Sequence, residues 1–113
     1  MSLVNTLGRR SDFVRVFRKG KRTYGSILKM VGFRRSDSDG PRFAFQLRKQ
    51  LGGAVVRNRI RRQLREIAAQ LNDSIDGNWD IVVSVKPNAV GQRYHQLEKE
   101  FRQGLRHLGC LFP

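Results

Sequence analysis

A chain of 113 residues can bury one hydrophobic core and is too short for two, so a single domain over 1–113 is expected. Its 23 Lys and Arg against 9 Asp and Glu give a formal charge of +14 and a sequence pI near 11.5, which points to a polyanionic partner. No apolar run is long enough to span a bilayer, no helix pairs large exposed apolar residues with a lysine-rich face, and Met1 to Arg10 lacks the apolar centre of a secretory signal; a membrane partner is excluded and a cytoplasmic setting expected. The charge is also uneven. Residues 1–65 hold 18 of the basic side chains and 3 acidic ones, whereas 66–113 hold 5 and 6, so the first half is read as the binding half.

In chain order, Ser11 is a plausible N-cap and Gly20 a stop, which predicts a short helix over 11–19. Phe13 and Phe17 share one face of it. They either pack into the core or, with Arg15, Arg18, Lys19, Lys21 and Arg22 among and after them, stack on unpaired nucleotides. Residues 22–34 read as extended chain, fitting two short strands or one kinked strand equally well. Ser36 to Pro41 is a turn by composition; its Asp37 and Asp39 fit a solvated turn better than a metal loop, because two unsupported carboxylates do not make a cation cage. Arg42 to Lys49 alternates, with Phe43, Phe45 and Leu47 on one face and Arg42, Ala44, Gln46 and Arg48 on the other. The polar members of the second face are expected to extend the basic surface.

Gly52-Gly53 closes that strand and precedes the densest feature of the chain. Counted at about 100° per residue from Val55, the residues Val56, Ile60, Leu64, Ile67 and Leu71 fall in one sector of a helix ending near Asn72 or Asp73. Arg57, Arg61 and Arg65 run up its edge, Asn58 and Arg62 lie beside them, and Arg59 projects away from Ile60. Five arginines with only Glu66 nearby cannot neutralise one another through pairs along the helix. Arginine matches phosphate oxygens in pairs and stacks on bases, and Asn58 adds a donor and acceptor suited to a base edge or ribose hydroxyl; a large RNA is the expected partner.

After Asn78 and Trp79 the run Ile81-Val82-Val83-Ser84-Val85 is continuous enough to be a strand covered on both faces, Lys86-Pro87-Asn88 stops it, and Gly91 to Leu108 is a last helix with Tyr94, Leu97, Phe101, Leu105 and Leu108 on one stripe. The order is α-β-β-β-α-β-α, an α+β sandwich with helices on a mixed four-stranded sheet. His95 and His107 have no ligand-spaced partners, Cys110 is a lone thiol, and no Asp-x-Asp or paired-His constellation is present. A phosphodiesterase needs an activated nucleophile and charge stabilisation, and this chain offers no residues for either. No catalytic residue is therefore assigned.

The run Lys49-Gln50-Leu51-Gly52-Gly53-Ala54-Val55-Val56-Arg57-Asn58-Arg59-Ile60-Arg61-Arg62-Gln63-Leu64-Arg65-Glu66 resembles the signature of the bacterial ribonuclease P protein subunits. Asp12-Phe13, Val16-Phe17 and Gly20-Lys21-Arg22 agree in order and spacing, as do Asp80-Ile81-Val82-Val83 and Lys86-Pro87-x-Ala89. The resemblance implies a left-handed crossover around the Arg-Asn-Arg helix, where a right-handed one is the ordinary expectation. It implies a ribozyme accessory: Lys49, Arg57, Asn58, Arg59, Arg61, Arg62 and Arg65 would bind the catalytic RNA, and Phe13, Phe17, Arg18, Lys21, Arg22 and Arg48 the 5′ leader of precursor tRNA. Mg²⁺ would be held mainly by the RNA, and one protein would join one RNA. Three departures from the family pattern stand out: Leu47-Arg48-Lys49-Gln50 where a Val-Ser-Lys-Lys type stretch is usual, Gly53 where Asn is common, and Lys86 where Arg often precedes the proline. The alternative function is a structural RNA binder such as a small ribosomal protein; a DNA-binding module fits less well, since no helix-turn-helix or zinc-ligand spacing appears.

Overall fold

The computed structural model describes residues 5–112; Met1 to Val4, part of the stretch read for a secretory signal, and Pro113 lie outside the described residues. The chain forms β1 (Asn5–Thr6), α1 (Arg10–Lys19), β2 (Lys21–Tyr24), β3 (Leu28–Arg35), β4 (Arg42–Gln46), α2 (Ala54–Leu71), β5 (Asn78–Val85) and α3 (Tyr94–Leu108). The expected order is present, and the two-residue β1 makes the sheet five-stranded rather than four-stranded, in the order β1-β4-β5-β3-β2. β4 is parallel to β1 and to β5, whereas β3 is antiparallel to β5 and to β2, so the sheet is mixed.

β5 is buried along most of its length, with an apolar run from Ile81 to Val83, because it is the middle strand of a sheet covered on both faces. On one face Trp79, Ile81, Val83 and Val85 join Leu28, Met30 and Phe43, and the helix stripes close over them. From α2 come Ile60, Leu64, Ile67, Ala68 and Leu71, with Val56 packed alongside. Val55 is 84% exposed and belongs to the opposite side of the helix. From α3 come Leu97, Phe101, Leu105 and Leu108, with Tyr94 partly buried at the start of the stripe. Gly104 lets α3 lie directly on Met30, where any side chain would collide with the Met30 sulfur. Cys110 is wholly buried in the same core, and burial pushes its thiol up to about 12. The opposite face is smaller: Val31, Ala44 and Val82 of the sheet meet Val16 of α1 and Leu7, with Phe13, Phe17 and Phe33 against them.

Two helix starts differ from the sequence pattern, and the strand expected over Arg42 to Lys49 ends at Gln46 because Lys49–Leu51 forms a 3-10 turn. α1 starts at Arg10 with Arg9 in the cap position and no side-chain cap, so Ser11 lies inside the helix rather than capping it. α3 starts at Tyr94, because Val90 and Gly91 are taken up by a turn after the 3-10 turn Pro87–Ala89. Residues 22–34 resolve into two strands, paired from Lys21↔Gly32 to Tyr24↔Lys29.

The turn joining those strands is held from three directions. The Glu100 carboxylate of α3 accepts the Ile27 and Leu28 amides at 2.6 and 2.7 Å and the Ser26 hydroxyl at 2.7 Å. Lys86 Nζ donates to the Gly25 carbonyl at 2.6 Å, and Asn88 Nδ2 to that of Ser26 at 2.8 Å. The Lys86-Pro87-x-Ala89 segment is thus a structural clamp on the hairpin. Charged hydrogen bonds to amides carry more than neutral ones. Glu100→Ala is expected to lower the unfolding free energy in a urea titration by about 2 kcal/mol; a loss below about 0.5 kcal/mol would show that water replaces the carboxylate.

Candidate nucleic-acid interface

The register turns the face of the sheet that meets α1 into three rungs, because directly paired residues share a face and alternate residues return to it. The first is Arg42, Asp80 and Phe33; the second is Ala44, Val82, Val31 and Arg22; the third is Gln46, Ser84, Lys29 and Tyr24. α1 covers the second rung with Val16, flanked by the half-buried Phe13 and Phe17. The third rung has no such cover: Gln46 and Tyr24 are exposed and Ser84 and Lys29 half-buried. A groove results, walled by the aromatic side of α1 and floored by the polar end of the sheet.

The first rung is ionic. Asp80 is fully buried, and its carboxylate accepts from Arg35 Nη1 at 2.7 Å, Arg42 Nε at 2.8 Å, Arg42 Nη2 at 2.9 Å and Arg15 Nη2 at 3.2 Å. Arg15 also pairs with Asp12 at 3.0 Å and lies 5.2 Å from the Phe33 ring centroid. Arg42 reaches Asp12 at 3.5 Å, and Arg35 holds Asp37 by two bonds of 2.9 and 2.8 Å. Asp37 stays charged well below the usual carboxylate range, down to about 2, first through its bond from Arg35 and then through the Asp39 amide. The Arg35 guanidinium is raised by its bond to Asp37 against the cost of burial, and that of Arg42 by its bond to Asp80.

One expectation is corrected here. Arg42 lies on the polar face of its strand, as the alternation indicates, yet it faces Asp80 and Asp12 instead of extending a basic surface. Asp37 is exposed in its turn, as expected, and pairs there with Arg35. The signal available in the sequence was the carboxylate of Asp80 within a strongly apolar strand: a buried charge requires a partner, although only the register tells which arginines supply it.

The arginines of α2 are in the opposite situation. Asn58, Arg59, Arg62 and Arg65 are exposed and Arg57 and Arg61 half-buried on the rim of the packed stripe. Among the described residues none of these arginines forms an ion pair; Arg61 bonds only the Asn58 side chain at 2.9 Å, and Arg57 Nε is buried with no hydrogen-bond partner. Lys49 is exposed on a 3-10 turn, Lys49–Leu51, whose preceding residue Arg48 is exposed as well. Gly52 follows at φ 132°, a conformation that favours glycine, and swings the chain into α2. Gly53 caps α2 in extended conformation with open space around it, so it does not serve close approach, and the amide cap an asparagine would give is missing. On α1 and β2, Arg18, Lys21 and Arg22 are exposed; Arg22 spends one nitrogen on the Phe17 carbonyl at 3.0 Å, closing the end of α1.

Asp12, Asp37 and Asp80 accept from guanidinium groups and leave no carboxylate pair turned toward a cation, and among the described residues no group of three His, Cys, Asp or Glu side chains is placed to hold a metal. His95 and His107 are exposed, and the only bond of either ring is the 3.5 Å contact of His107 with Thr23 among the described residues. No helix of the described residues is long and apolar enough to cross a membrane. Unpaired guanidiniums on one helix and exposed basic side chains along α1 and β2 are the charge pattern of a polyanion-binding protein.

Comparison with known proteins gives the same class a family. The ribonuclease P family model matches residues 1–109. The ribonuclease P protein component of Rhodococcus opacus is 37% identical over 113 residues, covering 95% of this chain and 90% of that protein, and that of Acidothermus cellulolyticus is 41% identical over 104 residues, covering 90% and 86%. The fold is shared with the Staphylococcus aureus RNase P protein, at TM-score 0.86 and 23% identity over 96% of this chain and 99% of that one. It is also shared with the Thermotoga maritima protein, at TM-score 0.81 and 21% identity over 91% and 96%. The chain belongs to the ribonuclease P protein family.

Removing one partner from a buried ionic cluster leaves uncompensated charge, so Asp80→Asn is expected to cost about 3–5 kcal/mol in denaturant unfolding. A cost under about 1 kcal/mol would mean that the three guanidiniums are solvated without it. Asp37 gives a separate pH signature. Its folded value is depressed, so its contribution is complete above its unfolded value near 3.8 and is lost as pH falls toward about 2. Asp37→Asn should flatten the fall in stability between pH 4 and 2; an unaltered profile would contradict the Arg35 pairing.

Proposed function

We propose that the two surfaces divide the work of a ribonuclease P protein subunit: the α2 face docks on the catalytic RNA, and the groove beside α1 holds the 5′ leader of precursor tRNA. As a member of its family the chain is an accessory subunit of the endoribonuclease, assisting RNA-catalysed removal of the leader that leaves the mature tRNA 5′ end. Catalysis belongs to the RNA, and Mg²⁺ supplies charge stabilisation there.

The observation that carries the reading is the division between spent and unspent arginines. Arg57, Arg59, Arg61, Arg62 and Arg65 have no carboxylate partner among the described residues, whereas Arg15, Arg35 and Arg42 are consumed by aspartates. With Asn58 and Lys49, the unspent set is suited to phosphates and ribose hydroxyls of a folded RNA. Such docking screens repulsion between two polyanions and lowers the Mg²⁺ the complex requires. Phe13 and Phe17 are half-buried, so each serves the core with one part and offers the rest to the groove. Arg18, Lys21, Arg22 and Arg48 supply charge to the strand that lies there. Mature tRNA has no leader, so this grip favours substrate over product. One domain acting as a monomer, in a 1:1 complex in the cytoplasm, suits a chain whose apolar stripes are already covered by its own sheet. A structural RNA binder of the ribosomal type would have no use for discrimination between precursor and product.

Phe13→Leu with Phe17→Leu keeps apolar contact with Val16, Val31 and Val82 while removing the stacking rings. The holoenzyme carrying it should bind precursor tRNA about ten-fold more weakly and mature tRNA unchanged. Equal weakening of both would contradict the leader assignment.

A further inference from the structure

Tyr24 is an aromatic ring the sequence pattern gave no role, and it stands at the open end of the groove. It is 66% exposed, among the few large apolar side chains left in solvent. Register puts it opposite Lys29, and the Lys29 ammonium lies 5.5 Å from its ring centroid, within cation–π range. Alternation along β2 and β3 puts Tyr24 and Lys29 on the same sheet face as Arg22 and Val31, two residues further along. Phe17 packs against the apolar cluster that contains Val31, and Arg22 is bonded to the Phe17 carbonyl at 3.0 Å. Phe17, Arg22 and Tyr24 therefore form a continuous track of ring, guanidinium and ring.

The position is also fixed in advance. Tyr24 ends its strand immediately before the turn that Glu100, Lys86 and Asn88 grip from α3 and from the segment after β5. An exposed hairpin end held this firmly loses little freedom when a ligand settles on it. Polar side chains complete the rung: Ser84 Oγ donates to Gln46 Oε1 at 2.9 Å, which leaves the Gln46 amide nitrogen available to the groove. Successive rungs are about 6.7 Å apart, the rise of two strand residues and a span comparable to one nucleotide of an extended strand.

We propose that Tyr24, backed by Lys29, is a further stacking position for an unpaired nucleobase of the precursor-tRNA leader, one step beyond Phe13 and Phe17. The inference rests on the leader-groove reading. Tyr24 supplies a π-face, which every base accepts, and Lys29 supplies charge for the adjoining phosphate. The consequence is a longer leader footprint, with affinity rising over at least one more nucleotide than the α1 aromatics reach. Tyr24 is a binding residue only, with no part in the cleavage step.

The test is the affinity of the holoenzyme for precursor tRNAs whose leaders are shortened one nucleotide at a time, using wild-type protein, Tyr24→Leu and Tyr24→Phe. The wild type should gain affinity with leader length up to a plateau. Tyr24→Leu should reach its plateau at a shorter leader and bind long-leader precursors about ten-fold more weakly, with the shortest leader unaffected. Tyr24→Phe should follow the wild type, since the ring and not the hydroxyl is used. A Tyr24→Leu curve that coincides with the wild type at every length would overturn the proposal and leave the groove intact. An unshifted curve with weaker binding of the catalytic RNA alone would assign the ring to that RNA and equally overturn it. If wild-type affinity does not depend on leader length at all, the groove reading itself fails.

Discussion

The buried carboxylate of Asp80 sets the terms for the rest of the molecule. It lies in the middle strand of the sheet with no exposure to solvent, where an unpaired charge would cost several kcal/mol, and three guanidiniums converge on it. Each comes from a different element: Arg15 from α1, Arg35 from β3 and Arg42 from β4. The cluster thereby ties the N-terminal helix to the sheet and sets where α1 lies across it. Asp12 and Asp37 balance the charge the three arginines bring, so the knot is neutral within a chain of formal charge +14. Whatever basic charge remains is on the surface.

That placement produces both proposed binding surfaces. With α1 held over one end of the sheet, Phe13 and Phe17 close only the apolar rung, and the polar rung beyond stays open as a groove. On the other face, α2 buries Ile60, Leu64, Ile67 and Leu71, and its one acid, Glu66, forms no ion pair with its arginines among the described residues. The Glu100 and Lys86 clamp plays a corresponding part at the far end, where it holds the hairpin that carries Tyr24. Rigid elements supply the geometry, and the charge they leave unpaired supplies the attraction.

The periodic parts of the fold were legible in the sequence. The stripes of α2 and α3 and the apolar run of β5 follow from where water can and cannot reach a helix or a central strand, and those patterns are local. Arg42 shows where local reading ends. Alternation puts it on the polar face of its strand correctly, but whether that face meets solvent depends on α1, thirty residues earlier in the chain. β1 has two residues and no pattern to read, and it exists because β4 offers an unpaired edge. Ser11 has the chemistry of a cap, yet the helix starts a residue before it, where the chain leaves β1 and Leu7 is already anchored in the core. Asp80 was visible as an acid in an apolar strand, but its partners are separated from it by 38 to 65 residues and only the register identifies them. The family came from the motif of α2; the division between paired and unpaired arginines came from the structure.

The central claim is that arginines lacking a carboxylate are the ones that meet RNA. The most direct measurement is the salt dependence of affinity for the catalytic RNA, comparing wild type with Arg59→Gln/Arg62→Gln/Arg65→Gln and, separately, with Arg15→Gln. Each phosphate contact contributes about 0.7–0.9 to the slope of log K against log salt. The triple variant should therefore reduce that slope by about 2, whereas Arg15→Gln, which removes a charge already neutralised within the fold, should leave it unchanged. An unaltered slope in the triple variant, or an equal reduction from Arg15→Gln, would contradict the account.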